Sequence, residues 1–372
     1  MIKYRSRSQA MSPNRILIMA GGTGGHVYPA LAVAKYLRAQ GADILWLGTE
    51  TGLESRVVPE NGFDLSTIRV AGLRGNGLLR LLQAPVKLSI ALFHSIRLIR
   101  KFRPHAVLGM GGYVSGPGGV AAWLLRVPLY IHEQNAIAGL TNKLLSPLAT
   151  FVMQGFPGTF SESARVRTTG NPVRAEIVEC ARAQGAGAVE SSADIRLLVL
   201  GGSLGARALN QAIPAAIKIF GRDSGLQVWH QTGSSHLQTT NELYDELGVD
   251  GARVEAFIED MAAAYDWADL VLCRAGALTL AELCVCGLAS ILVPFPYAVD
   301  DHQTANARYL SDSGAAILLP ESELAPEKLN SVLSGLCQAR EQIRLMAEKT
   351  RQFAHADATQ TVGDICLGGA HA

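Results

Sequence analysis

Short apolar runs alternate with longer amphipathic segments along the first half of the chain. Runs at 16–20, 44–48, 106–110, 128–132 and 151–154 read as strands, and the segments between them predict helices beginning near Val27, Leu53, Pro85, Gly118 and Ala138. Uninterrupted apolar runs of this length belong to strands covered on both faces, so the pattern predicts βαβ units on a parallel sheet. A second series restarts the same architecture at 195–200 and continues at 228–230, 254–257, 270–273, 291–293 and 316–318. Similarity between the halves is confined to their opening loops, which argues for two doubly wound α/β domains facing each other across a cleft and against a tandem repeat. The stretch 181–194, "ARAQGAGAVESSAD", reads as an exposed loop near the junction. Ligands of such sheets bind beyond the carboxyl ends of the strands.

Composition narrows this picture. Of 372 residues, 48% are hydrophobic and only 17% charged, against about 25% charged in an ordinary globular chain. That excludes disorder and leaves room for an apolar surface region. The net charge of +1 says little, but its distribution says more. No acidic residue occurs between Asp64 and Glu133, whereas Arg69, Arg74, Arg80, Lys87, Arg97, Arg100, Lys101, Arg103 and Arg126 all do. The six cysteines show no metal-ligand spacing and lie mostly in apolar segments, which predicts core thiols in a reducing compartment. The first fifteen residues lack an apolar signal region, and residues 1–10 read as a dispensable extension or a misassigned start before Met11, with a targeting peptide as the lesser alternative. The longest uncharged stretches are broken by glycine and proline, so no spanning helix is expected.

Three glycine-rich turns follow predicted strands: Gly21–His26, "GGTGGH"; Gly109–Gly119, "GMGGYVSGPGG"; and Gly201–Ala206, "GGSLGA". Each opens a helix, whose free N–H groups attract anions, and glycine lets a phosphate approach the backbone closely. The first departs from a dinucleotide fingerprint, because Val27 stands where the third glycine or alanine is required. Glu50 sits roughly where a ribose-binding acid would follow, which keeps a dinucleotide site as a weaker reading. No G-x-x-x-x-G-K-[ST] occurs, which removes the P-loop reading. Taken singly, each turn is equally well a plain strand–helix connection.

Several motifs, in this order and spacing, resemble one family closely. They are "GGTGGHVYPALAVA" (21–34), "GLRGNG" (72–77), "GMGGYVSGPGG" (109–119), "HEQNAIAGLTNK" (132–143), "GNPVR" (170–174), "GGSLGARALN" (201–210), "AGALTLAEL" (275–283) and "DHQTANA" (301–307). The family is that of the bacterial undecaprenyldiphospho-muramoylpentapeptide β-N-acetylglucosaminyltransferases, which convert lipid I to lipid II in peptidoglycan biosynthesis. The resemblance runs from about Arg15 to Asp364 and implies a GT-B fold of two Rossmann-like domains. Residues 1–172 would hold the acceptor and meet the membrane, residues 173–351 would hold UDP-GlcNAc, and a helix at about 352–372 would pack back on the first domain.

Carried over residue by residue, the resemblance implies that Arg174 and the loop with Ser203 meet the diphosphate, that the Ile258 backbone meets the uracil edge, and that Glu282 accepts the ribose hydroxyls. Thr23, Gly24, Gly25, Asn135, Ala277, Leu278 and Gln303 would line the sugar, with Thr279, Leu280 and Ala281 completing the "ALTLAE" segment. Ala275 departs from the serine common in relatives. The implied reaction inverts the anomeric carbon in one displacement, so it needs a base for the acceptor proton and stabilisation of the departing UDP. His26 is the first candidate base, since an unperturbed imidazole titrates near ~6.5; Glu133 and His132 follow. Capping the loop or bonding an acceptor phosphate is the plainer role for His26. No obligatory metal is expected. Asp300 and Asp301 imitate a metal-binding pair only superficially, and Mg²⁺ would at most assist UDP release.

The acceptor that the resemblance implies is tethered to a bilayer, so a membrane interface is expected. Leu78, Leu79 and Leu82, beside Arg80, are the expected anionic-membrane contact, and replacing Leu79 and Leu82 by serine would release the protein from vesicles. Residues 85–102 read rather as a helix packing Leu88, Leu92, Ile96 and Ile99 on the sheet. The implied location is peripheral, on the cytoplasmic side of the inner membrane, with cell-wall synthesis proteins as further partners and no nucleic acid. A UDP-GlcNAc 2-epimerase, another lipid-acceptor glycosyltransferase, a nicotinamide-dependent oxidoreductase and a non-catalytic nucleotide-sugar sensor are the competing readings.

Overall fold

The computed structural model describes residues 14–68, 78–184, 194–202, 204–221 and 225–369, without the side chains of 78–84, 184 and 369. Two parallel sheets organise it. The first contains β1 (Arg15–Met19), β2 (Asp43–Gly48), β3 (Asp64–Thr67), β4 (Ala106–Gly109), β5 (Leu129–Glu133), β6 (Phe151–Gln154) and β7 (Val166–Thr168), in the order β3-β2-β1-β4-β5-β6-β7. The second contains β8 (Ile195–Leu200), β9 (Leu226–Gln231), β10 (Arg253–Glu255), β11 (Leu270–Cys273), β12 (Ala289–Leu292) and β13 (Ala316–Leu318), in the order β10-β9-β8-β11-β12-β13. In each, the first strand pairs in parallel with the second and the fourth, and the strand order reverses there. A ligand crevice forms at such a reversal in doubly wound sheets. The glycine turns after β1, β4 and β8 stand at these two positions.

The central strands are buried because their sequences are apolar on both faces: Ile16, Leu17, Ile18 and Met19 in β1, and Leu197, Leu198 and Val199 in β8. The strands that the apolar pattern does not predict, β3 and β7, are short and carry polar residues. The helices after the β1 and β4 turns begin earlier than the periodicity predicts, at Gly24 instead of Val27 and at Ser115 instead of Gly118. Glycine and serine there supply no apolar signal, although the backbone already turns.

The chain forms two compact units: Met1–His132, Leu140–Met153 and Gln360–Ala372 in one, Glu133–Gly139 and Gln154–Thr359 in the other. The sequence boundary at 172 therefore lies inside the second unit. Loop 133–139 belongs there because its backbone is bonded there: Asn171 Nδ2 donates to the Gln134 carbonyl at 3.0 Å, and the Ala136 N–H donates to Asn306 Oδ1 at 2.8 Å. The C-terminal segment joins the first unit. Val362, Ile365 and Cys366 enter its core, and Tyr36 donates its hydroxyl to Asp364 Oδ1 at 2.7 Å.

The cysteines are all free. Burial pushes the thiols of Cys273, Cys284 and Cys286 up to about 12, so they behave as core residues. Among the described residues, no helix is long and apolar enough to cross a membrane. Residues 1–10 lie outside the described residues, as do 185–193 of the expected junction loop 181–194, whose first residues instead end helix Ala175–Gln184.

Candidate functional site

In the first unit the turn after β1 climbs into helix Gly24–Ala39. Gly22 takes φ +95, a left-handed conformation that glycine reaches without strain. Thr23 is the N-cap and its side chain makes no capping bond, so the helix start presents backbone N–H groups with no side chain closing them. Gly22, Thr23 and Gly25 are exposed, and Gly24 and His26 half-buried.

The turn after β4 packs onto the first. Gly111 and Gly112 both have positive φ. A Cβ on Gly112 would stand 2.4 Å from the Gly21 carbonyl oxygen, and one on Gly111 would stand 2.8 Å from the His26 ring. Glycine is required at both places, and the His26 imidazole lies against bare backbone. Ser115 Oγ lies within bonding distance of the Met19 and Gly111 carbonyls, at 3.1 and 2.9 Å, and ties the second turn to β1. The "GGTGGH" and "GGY" motifs thus form one surface.

In the second unit, Glu133 is 2% exposed. Its Oε1 accepts from the Asn135 N–H at 3.1 Å and Asn135 Nδ2 at 3.4 Å, and its Oε2 from the Gly139 N–H at 2.9 Å. Both oxygens of this candidate base therefore shape loop 133–139. Asn306, fully buried, donates from Nδ2 to Asn135 Oδ1 at 3.2 Å and to the Ala275 carbonyl at 3.1 Å. It joins the "HEQN" loop to the turn that starts helix Ala277–Cys286. His132, the third candidate base, is wholly buried in the first unit.

That helix has Gly276 as N-cap with no capping side chain, and it carries Ala277, Leu278, Thr279, Leu280, Ala281 and Glu282. Glu282 is 4% exposed. Arg174, just before helix Ala175–Gln184, reaches Glu282 Oε1 with Nε at 3.1 Å and Nη2 at 2.8 Å, while Tyr265 donates its hydroxyl to Oε2 at 2.9 Å. Burial raises the Glu282 carboxyl above the usual glutamate value, against the opposing pull of Arg174 and Tyr265. Burial works to lower Arg174, but Glu282 outweighs it and the guanidinium is raised. The Tyr265 phenol is pushed well above its ordinary value by burial and then by Glu282, so it stays a donor at neutral pH.

Two sequence-predicted residues, one for the diphosphate and one for the ribose, are thus bonded to each other. Ile258 sits buried in the loop after β10, and Gln303 Oε1 accepts from the Phe295 N–H at 2.9 Å. In the loop after β8, Gly202 and Gly205 have positive φ, and a Cβ on Gly205 would stand 2.0 Å from the Thr232 carbonyl oxygen. Helix Arg207–Phe220 follows without a capping side chain. Ser203, in this loop, and the side chains of Leu78, Leu79, Arg80 and Leu82 lie outside the described residues, as does "GLRGNG". Asp301 accepts from Thr304 Oγ1 at 2.7 Å. Among the described residues, no cluster of three His, Cys, Asp or Glu is placed to hold a metal.

The composition left room for an apolar surface without placing it on these helices; the first unit carries one. Helix Leu78–Phe102 exposes Val86, Ile90 and Phe93, helix Ser115–Leu124 exposes Trp123 and Leu124, and helix Leu140–Leu145 exposes Leu140 and Leu144. These helices touch in that order. Of the residues expected against the sheet, Ile99 is buried and Leu92 and Ile96 half-buried, while Leu88 is exposed because Ala91 and Ser95 take the inner positions.

Residues 16–154 match the model of the glycosyltransferase family 28 N-terminal domain, and residues 196–362 match that of its C-terminal domain. The chain is 51% identical over 353 residues to a Nitrosococcus oceani protein named UDP-N-acetylglucosamine--N-acetylmuramyl-(pentapeptide) pyrophosphoryl-undecaprenol N-acetylglucosamine transferase, covering 95% of this chain and 98% of the relative. A Stutzerimonas stutzeri protein of the same name is 52% identical, with 96% and 99% covered. The crystal structure of Acinetobacter baumannii MurG superposes with a TM-score of 0.81 at 42% identity, covering 96% of this chain and all of that one.

Proposed function

The chain belongs to glycosyltransferase family 28, and from that premise we propose that it transfers N-acetylglucosamine from UDP-GlcNAc to the C4 hydroxyl of the muramoyl sugar of lipid I, forming lipid II. The agreement in name of relatives about half identical over nearly the whole chain carries this reading. The acceptor oxygen forms a bond to the anomeric carbon as the bond from that carbon to the UDP oxygen breaks. The hydroxyl proton passes to a ring nitrogen of His26, and UDP leaves with the bonding pair.

The second unit supplies the donor's contacts in this proposal. The uracil lies along the Ile258 backbone, the ribose hydroxyls reach Glu282, and the diphosphate meets the Gly201–Ala206 turn. Arg174 suits the diphosphate while paired, because Nε and Nη2 engage Glu282 and Nη1 remains for a phosphate oxygen. Asn135, in the same unit, lines the sugar. Helix starts and a guanidinium answer the charge on UDP, so the mechanism calls for no protein-held metal, and Mg²⁺ would at most assist UDP release. Incubating the protein with UDP-GlcNAc and a soluble lipid I analogue should release UDP in step with disaccharide. UDP-ManNAc as product, or UDP-GlcNAc binding without turnover, would contradict the reading.

We also propose that the apolar face of the first unit rests on the cytoplasmic leaflet of the bacterial membrane, where cell-wall synthesis partners would meet it. Phe93 is 63% and Leu144 67% exposed, and Lys87, Arg97, Arg100, Arg126 and Lys143 stand on the same helices or next to them. Basic residues near an anionic surface contribute about 1 kcal/mol each. The double variant Phe93→Ser/Leu144→Ser is expected to weaken binding to anionic phospholipid vesicles about tenfold or more, with turnover of the soluble analogue unchanged. Wild-type vesicle affinity would remove this part of the proposal.

A further inference from the structure

Glu54 opens helix Glu54–Glu60 and is fully buried, yet no role in the transfer has been given to it. Its Oε2 accepts the Gly22 N–H at 2.9 Å, and its Oε1 accepts the Thr49 N–H at 2.8 Å and the Thr49 hydroxyl at 2.6 Å. Thr49 Oγ1 in turn accepts the Gly52 N–H at 3.0 Å. The space around this carboxylate is made by absent side chains. A Cβ on Gly21, Gly48 or Gly52 would stand 2.6, 2.6 or 2.2 Å from Glu54 atoms.

A buried carboxylate is an expensive way to fill a core, and an apolar residue of the same size would do so better. What only a carboxylate supplies here is two acceptor oxygens for three converging donors. Glutamine would turn an NH₂ toward either Gly22 or Thr49. The Gly22 end of the network matters most, because Gly22 has φ +95 and directly precedes Thr23, Gly24, Gly25 and His26. We propose that Glu54 is a positioning residue for the reaction: it clamps Gly22 and so aims the first turn of helix Gly24–Ala39, with its free N–H groups and His26, at the acceptor. The inference rests on the transfer reaction proposed above.

Three variants and two readouts test it. In Glu54→Gln, kcat with the soluble lipid I analogue should fall about tenfold to a hundredfold, the cost of a misplaced reacting group, while UDP affinity, which belongs to the second unit, is retained. The Gly22 amide should exchange with solvent at least about a hundredfold faster, with β1 and β2 amides unchanged. Thr49→Val should move both readouts the same way by less, and Gly52→Ala, which drives a methyl into the carboxylate, should resemble Glu54→Gln. Should one variant not fold, the others carry the test. Wild-type kcat in the variants overturns the proposal, as does UDP affinity falling in parallel with kcat, which would mark a general loss of fold. If the wild-type protein transfers nothing, the reaction assignment fails; Gly22 exchange then still decides whether Glu54 clamps the turn, and unchanged exchange in Glu54→Gln overturns it.

Discussion

Replacing His26 with alanine is expected to lower kcat by about 10²- to 10⁴-fold, the usual contribution of a positioned base, with UDP affinity unchanged. The imidazole sits in the first turn of helix Gly24–Ala39, half-buried, with its ring against Gly111, where any side chain would displace it. The reason for the effect is chemical. A neutral imidazole can take a proton as the acceptor oxygen attacks, and a protonated one cannot. The acid limb of the kcat profile in the wild type should therefore vanish in His26→Ala. Steady-state kinetics across pH 5.5–8.5 read both effects. A kcat within about threefold of wild type would place the base elsewhere. Glu133→Gln should act differently, since both Glu133 oxygens hold amides of loop 133–139. Its expected signature is a higher KM for the donor with the acid limb retained.

The second large effect falls on the Arg174–Glu282 pair. Arg174→Met should destabilise the protein by about 3–5 kcal/mol, the cost of leaving a buried charge unpaired, and should abolish measurable UDP binding. Glu282→Gln should cost less, because Arg174 keeps 29% of its side chain exposed and can turn its charge toward water, whereas Glu282 keeps only 5%. The double variant Arg174→Met/Glu282→Gln is expected to be more stable than Arg174→Met alone and still unable to bind UDP. Denaturant unfolding gives the stabilities and calorimetric titration with UDP the binding. If the double variant were as unstable as the sum of the singles, the two residues would not be coupled.

The chemistry of the site was legible wherever it is written in short contiguous motifs. "GGTGGH", "GMGGYVSGPGG" and "GGSLGA" could be assigned to strand–helix turns because positive φ and close backbone approach leave glycine as the residue that fits. The central strands were legible because burial on both faces leaves unbroken apolar runs. Glu54 was not. A glutamate opening a helix ordinarily faces water, and its neighbours in sequence do not reveal that Gly21, Gly48 and Gly52 enclose it. Asn306 was likewise hidden, since its partners lie about 170 and 30 positions away, at Asn135, Ala136 and Ala275. The apolar face was not legible for a different reason: Phe93, Trp123 and Leu144 look like core residues in a linear pattern, and only packing tells which apolar side chains lack a neighbour. Loop 133–139 shows the same limit for domain boundaries. It continues a strand of the first sheet, but its hydrogen bonds assign it to the second unit.

The most direct measurement is a crystal structure of the protein with UDP-GlcNAc bound. Uracil is expected along the Ile258 backbone, the ribose at Glu282 and the diphosphate at the Gly201–Ala206 turn beside Arg174. A nucleotide held instead by the Gly21–His26 turn, with the Ile258 and Glu282 surfaces vacant, would contradict it.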